Sequence, residues 1–307
     1  TYENLTATDE MLDVMDNDNY QITANGDPSS VTFGAENGLT LADLKGVTDI
    51  TDERWTLLMD QITLEDCMIR TAFGGTSTKA IESIMSPETI QNDGPNGIYS
   101  YTLGQYANTD ASSGDPCVVD ADDPNLNYKM GVMPNETVIG STFSKQLAAE
   151  YGRIIGNYSL WSNLTIFWGC GTNLHRLPYN ARNHEYYSED AVLTAGQGTA
   201  YVAAAKEYGC IVAPKHLAFN DTEINRSGIS VFMTEQQARE NELRGTQAII
   251  EDAGALGVMT AFNRVGVTAA NAHTGLLIDI LRGEWGFQGL MSEDFIQDAS
   301  YTSLKEA

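Results

Sequence analysis

From about residue 130 onward, short apolar runs alternate with helical patterns. The apolar runs lie at 137–140, 164–169, 210–214, 256–261 and 289–292, and the helical patterns at 143–156, 189–208, 234–253 and 274–282. Short apolar runs bounded by turn residues read as buried strands. Longer segments with apolar residues every three or four positions read as amphipathic helices. Strand and helix in alternation predict a parallel sheet, closed or open. Thr234-Glu-Gln-Gln237 opens one helix as a capping box. No GxGxxG follows a strand, which disfavours a doubly wound nucleotide-binding sheet.

Upstream the pattern is less regular. Asp52 caps an expected helix over 52–69, in which Trp55, Leu58, Met59 and Ile62 keep helical spacing, and a second helix is expected over 77–85. Residues 99–129 are rich in Gly, Asp, Ser and Asn and predict a long surface loop. Residues 1–45 are polar and acidic without apolar periodicity and read as a linker or extended arm, leaving 46–307 as the folded domain.

Composition narrows the partners. The 307 residues are 42% hydrophobic, enough for one large core. A net charge of −25 repels nucleic acid and anionic membrane and favours a neutral or cationic small substrate, although it also serves plain solubility. No apolar run has the roughly 20 residues of a spanning helix. No signal peptide is visible, and the chain opens on Thr1, as expected of a processed or partial chain. A secreted or cell-surface location is favoured over the cytoplasm, and a homo-oligomer is among the partners considered. Cys67, Cys117, Cys170 and Cys210 show no zinc-ligand spacing, and neither His184 nor His273 adds one; no metal and no cofactor are expected. Cys170 and Cys210 read as buried small residues. Asn-x-Ser/Thr sequons at Asn4, Asn135, Asn157, Asn163, Asn220 and Asn225 read mostly as chance matches.

Two strand ends carry candidate chemistry. Gly283 and Gly286 break the helix ending at Arg282, and Gly289-Leu-Met then leads into Glu293-Asp294. A carboxylate at the carboxyl end of a buried strand is where an α/β barrel places catalytic groups, and it is equally a helix N-cap. Cys210-Ile-Val-Ala-Pro ends in Lys215-His216. Lysine and histidine are seldom buried without partners, so the pair suggests donors aimed at a polar ligand. A surface lysine beside a satisfied core histidine is the plainer alternative.

Further segments join these in one order: Asp93-Gly-Pro-Asn-Gly97, Asn173 to Asp190, Asn220 to Arg226, and Gly257 to Arg264. Together, from about Trp55 to the end, they resemble the barrel domain of family-3 glycoside hydrolases of the β-glucosidase type. The resemblance implies an α/β fold of the (β/α)8 TIM-like type, incomplete here and continuing beyond 307. It implies a retaining β-glycosidase that removes terminal non-reducing β-D-glucosyl residues through a glycosyl-enzyme on Asp294. Glu293 competes for that role, but its side chain should point the opposite way from that of Asp294 if both are still on the strand. Asp93, Arg182, Lys215, His216, Asn225 and Phe262 would contact the sugar, with Arg226 close by. Phe262 stands where the family often has a tyrosine. Arg176 reads as structural, paired with Glu185. Glu189-Asp190 should cap the next helix, and Trp285 should pack between helix and barrel.

A retaining glycosidase needs a second carboxylate. The loop Leu217–Glu223 has no histidine for a His-Asp dyad. The resemblance therefore implies an acid/base glutamate on an α/β sandwich domain, in the same polypeptide or a partner chain, docked at the barrel mouth. Two rivals remain: a non-catalytic carbohydrate-binding or scaffold barrel, and a Schiff-base aldolase-type barrel using Lys215.

Overall fold

A computed structural model describes residues 8–10, 12, 30–73, 77–94, 96–98, 117–118, 128–129, 133–162 and 164–294. Helices α1 (Glu53–Met59) and α2 (Leu64–Phe73) come first. Strand β1 (Thr89–Asp93), helices α3 (Glu136–Ser141) and α4 (Lys145–Ser162), and strand β2 (Leu164–Gly171) follow. Then come α5 (Ala191–Lys206), β3 (Ile211–Lys215), α6 (Arg244–Ala253) and β4 (Gly257–Met259). A π-type helix, Gly275–Glu284, precedes β5 (Leu290–Ser292).

The five strands are parallel neighbours in sequence order. Asp93 pairs with Trp168, Phe167 with Val212, and Val258 with Met291. Just past β3, Leu217 donates its N–H to Met259 O at 2.8 Å and accepts from Ala261 N at 2.7 Å, which joins β3 to β4. Ser77–Thr78 adds a short antiparallel edge to β1. Each crossover returns the chain to the same end of the sheet, so all five carboxyl ends lie on one rim.

The core lies between strands and helices. Ile155, Phe167, Val212, Ile249, Val258 and Leu281 are all buried there. Each such side chain contributes roughly 1.5–3 kcal/mol relative to exposure. Gly152 lets α4 approach α5: a Cβ there would lie 2.2 Å from Tyr201 O. A smaller cluster of Leu44, Leu58, Ile62, Ile81 and Ile84 ties residues 39–44 onto α1, and Gln61 bonds both backbone groups of Leu39. No helix among the described residues is long and apolar enough to cross a membrane.

Several elements differ from the sequence pattern. The apolar run 137–140 is part of helix α3, because Asn135 caps it by accepting from Val138 N. The expected helix 52–69 is two helices, restarted where Thr63 and Asp66 exchange capping hydrogen bonds. The expected helix 77–85 is an edge strand followed by a 3-10 turn, Glu82–Ile84, that ends at left-handed Met85. Strand β1 was not foreseen. The loop expected over 99–129 lies outside the described residues, apart from an antiparallel pair between Cys117–Val118 and Tyr128–Lys129. Most of the arm 1–45 lies outside them too. Elsewhere the pattern holds. Asp190 caps α5 by accepting from Leu193 N, Thr234 accepts from Gln237 N, Trp285 is in the core, and Cys170 and Cys210 are buried.

Candidate active site

Each strand delivers polar residues to the common rim. Asp93 ends β1, Thr172-Asn173 follow β2, Lys215-His216 end β3, Thr260–Asn263 follow β4, and Glu293-Asp294 follow β5.

Lys215 is 1% exposed, so its ammonium needs partners. Its Nζ donates to Asp93 Oδ1 at 2.5 Å and lies 3.6 Å from Glu185 Oε2. Burial alone would lower its pKa, but the Asp93 and Glu185 carboxylates outweigh burial and hold it above the ordinary value. Glu185 is in turn held by Arg182, with Nε to Oε1 at 2.8 Å and NH2 to Oε2 at 2.6 Å. Burial raises the Glu185 carboxyl, yet Arg182 and Lys215 bring it below its usual range. Arg182 also faces Glu223 at 3.6 Å, and Glu223 pairs with Arg226 at 2.8 Å. The result is a file of alternating charges, Asp93–Lys215–Glu185–Arg182–Glu223–Arg226, along one side of the site.

His216 faces the other acid. Its Nε2 lies 3.5 Å from Asp294 Oδ2. Asn173 grips its backbone, accepting from His216 N at 2.9 Å and donating to His216 O at 3.1 Å. Burial first, then the positive charges of Arg182, Lys215 and Arg226, push His216 well below its ordinary pKa, so the ring is neutral.

Glu293 and Asp294 both lie past the end of β5, so strand alternation does not govern them, and their side chains make different contacts. Glu293 Oε2 accepts from Asn271 Nδ2 at 3.0 Å. Glu293 lines a cavity of about 180 Å3 with Thr260, Asn271, Met291 and Ser292. Asp294, not Glu293, shares the site with His216.

Phe262 is buried, and the Arg226 guanidinium lies 4.4 Å from its ring centroid. Asn225 is exposed with a φ of 57°, on the turn between Glu223 and Arg226. Arg176 pairs with Glu242 and lies 3.8 Å from Asp221; Glu185 belongs to Arg182 instead. Asn220 is fully buried, out of reach of any glycan.

Sequence reasoning did not single out Glu185 as the bridge between Arg182 and Lys215, nor Tyr186 and Asn220 behind His216. Glu136 was also unforeseen. It opens α3, and its buried carboxyl accepts from Gly171 N at 2.8 and 3.0 Å. Burial pushes that carboxyl well above its usual range. The signal for these contacts is their adjacency to Arg182, Lys215 and His216 in three dimensions, which spacing along the chain does not carry.

A parallel β/α sheet with acids and cations at its carboxyl rim is that of a partial TIM-like (β/α) barrel. Comparison with known proteins agrees. The family described as "Glycosyl hydrolase family 3 N terminal domain" matches residues 119–304. "Probable beta-glucosidase J" of Emericella nidulans is 33% identical over 202 residues, 63% of this chain and 24% of its own. A beta-glucosidase of Rhizobium radiobacter is 28% identical, over 78% of this chain and 27% of its own. The structure of beta-glucosidase 3B from Thermotoga neapolitana with glucose superposes with a TM-score of 0.62 at 27% identity, over 71% of this chain and 28% of that one. The chain belongs to family 3 of the glycoside hydrolases. It spans about a quarter of the length of these relatives.

Proposed function

We propose that this domain supplies the nucleophile half of a retaining β-glycosidase acting on terminal β-D-glucosyl residues. Asp294 attacks the anomeric carbon, the glycosidic C–O bond breaks as the leaving oxygen takes a proton, and water then releases the sugar from the glycosyl-enzyme. Asp93, Lys215, Arg182 and His216 hold the ring, Phe262 forms an apolar wall, and Asn225 borders the entrance. The observation that carries this reading is the meeting of His216 and Asp294, 3.5 Å apart, at the rim that also holds the Asp93–Lys215 pair.

The acid/base is proposed to be a glutamate on an α/β sandwich domain, in the same polypeptide or a partner chain, docked over this rim. Such an enzyme fits a secreted or cell-surface setting, where β-glycosides are met as nutrients. A Schiff-base role for Lys215 is disfavoured, because its pKa is raised and a protonated amine is no nucleophile. The test is Asp294→Ala in a protein that includes the sandwich domain. Turnover of an aryl β-glucoside should fall by several orders of magnitude, and near-normal turnover would refute the assignment.

A further inference from the structure

Behind His216 lies a chain of hydrogen bonds whose directions can be read one from the next. It begins at Glu223. An ionised carboxylate only accepts, so the Asn220 amide atom 3.0 Å from Glu223 Oε1 must be Nδ2. That fixes the orientation of the amide. The same Nδ2 lies 3.1 Å from the Tyr186 hydroxyl and donates to it. Tyr186 OH thereby accepts one bond and keeps its own proton to give. Burial holds this phenol far above its ordinary pKa, so the proton stays in place. Its other neighbour among the described residues is His216 Nδ1, at 3.1 Å. The two rings meet edge to face, 84° between planes, with the hydroxyl pointing at the ring nitrogen.

We infer that Tyr186 is a positioning residue: its hydroxyl, set by Asn220 and Glu223, donates to His216 Nδ1 and locks the imidazole in the tautomer that carries its proton on Nε2. That nitrogen is the one 3.5 Å from Asp294 Oδ2. A neutral ring with a bare Nδ1 has one N–H, and this network aims it at Asp294 and whatever shares its pocket. His216 thus acts as a fixed donor, not as a proton acceptor. Tyr186, Asn220 and His216 are buried, so at these links water cannot readily substitute for a missing partner, while Glu223 is partly exposed at the outer end. The role in turnover rests on the glycosidase reading above; the tautomer does not.

The experiment separates the two. The protein is labelled with 15N-histidine, and His216 is assigned by substituting His175, His184 and His273 in turn. At neutral pH the wild-type ring should show a protonated Nε2 and a bare Nδ1. Tyr186→Phe should leave a mixture of tautomers. In the longer protein with the sandwich domain, the same variant should lower kcat about tenfold, the loss expected for one buried hydrogen bond, with KM largely kept. A wild-type ring protonated on Nδ1, or a Tyr186→Phe ring still wholly Nε2–H, overturns the inference. If the tautomers behave as stated but kcat is unchanged, the network stands and its proposed catalytic role falls. The wild-type measurement decides the tautomer even if Tyr186→Phe does not fold.

Discussion

Lys215 and Asp93 are 122 residues apart in sequence, and Nζ and Oδ1 meet at 2.5 Å. The contact crosses the rim from the end of β3 to the end of β1, with β2 between them. It ties together the carboxyl ends of β1 and β3. The lysine is buried, while the Asp93 side chain is 39% exposed, so the acid can still reach a ligand.

Lys215→Met should therefore leave Asp93 without this cation and leave Glu185 with Arg182 alone. Breaking such a buried pair costs roughly 3–5 kcal/mol, reduced here to about 2–4 because Asp93 is partly solvated. The Lys215 pKa is raised, so its contribution is complete below its ordinary 10.5 and lost as pH rises through the folded value. Urea midpoints should show a wild-type advantage that is flat from neutral pH to about pH 10 and shrinks above it. Equal midpoints at pH 7 would contradict the role of the pair.

Gly171→Ala probes the seat of Glu185. A Cβ at this position would lie 2.0 Å from Glu185 O and 2.5 Å from the Tyr186 ring. The backbone must shift, which costs about 1–3 kcal/mol or more and moves Glu185 away from Lys215 and Arg182. A lower thermal midpoint is expected together with weaker glucose binding by calorimetry. Unchanged binding would show that the Glu185 seat has slack.

Asp221 gives a second pH prediction, of the same sign as that for Lys215 but at lower pH. Burial first, then the neighbouring Glu242 carboxylate, raise its pKa, with Arg176 opposing. The folded state then holds a proton that the unfolded chain gives up, so stability falls as pH rises from the ordinary carboxylate range toward the raised folded value. Asp221→Asn removes this loss. Relative to wild type, the variant should gain stability between pH 4 and pH 7, and a difference independent of pH would contradict the shift.

The leaving group tests where the acid/base resides. Residues 1–307 alone should be glycosylated only by substrates with good leaving groups, which need no protonation. Addition of the sandwich domain should bring turnover on disaccharides. Efficient disaccharide hydrolysis by residues 1–307 would place the acid inside this chain.

How much of this was legible in the sequence depended on what each segment buries. β2, β3, β4 and β5 were visible because their side chains enter an apolar core, so the strands read as apolar runs. β1 was not: Thr-Ile-Gln-Asn-Asp is polar, and Gln91 and Asn92 are buried as polar groups. The run at 137–140 misled because four apolar residues suit a strand or a buried helix turn equally. Asp294, Lys215 and His216 could be singled out because polar residues at the ends of apolar strands are conspicuous. Tyr186, Asn220 and Glu136 could not, since the contacts that tie them to the site, Tyr186–His216, Asn220–Tyr186 and Glu136–Gly171, join residues 30 or more apart. The partner of Arg176 was misassigned to Glu185 for the same reason: Glu242 comes from a distant helix.

The most direct test of the account is chemical capture of the nucleophile. A longer protein that includes the proposed sandwich domain is treated with a 2-deoxy-2-fluoro-β-glucoside carrying an activated leaving group, then digested, and the labelled residue is located by mass spectrometry. The account predicts one sugar per chain, bound to Asp294. A sugar on Glu293 or any other carboxylate, or turnover of the same glucoside with no covalent sugar at all, would contradict it.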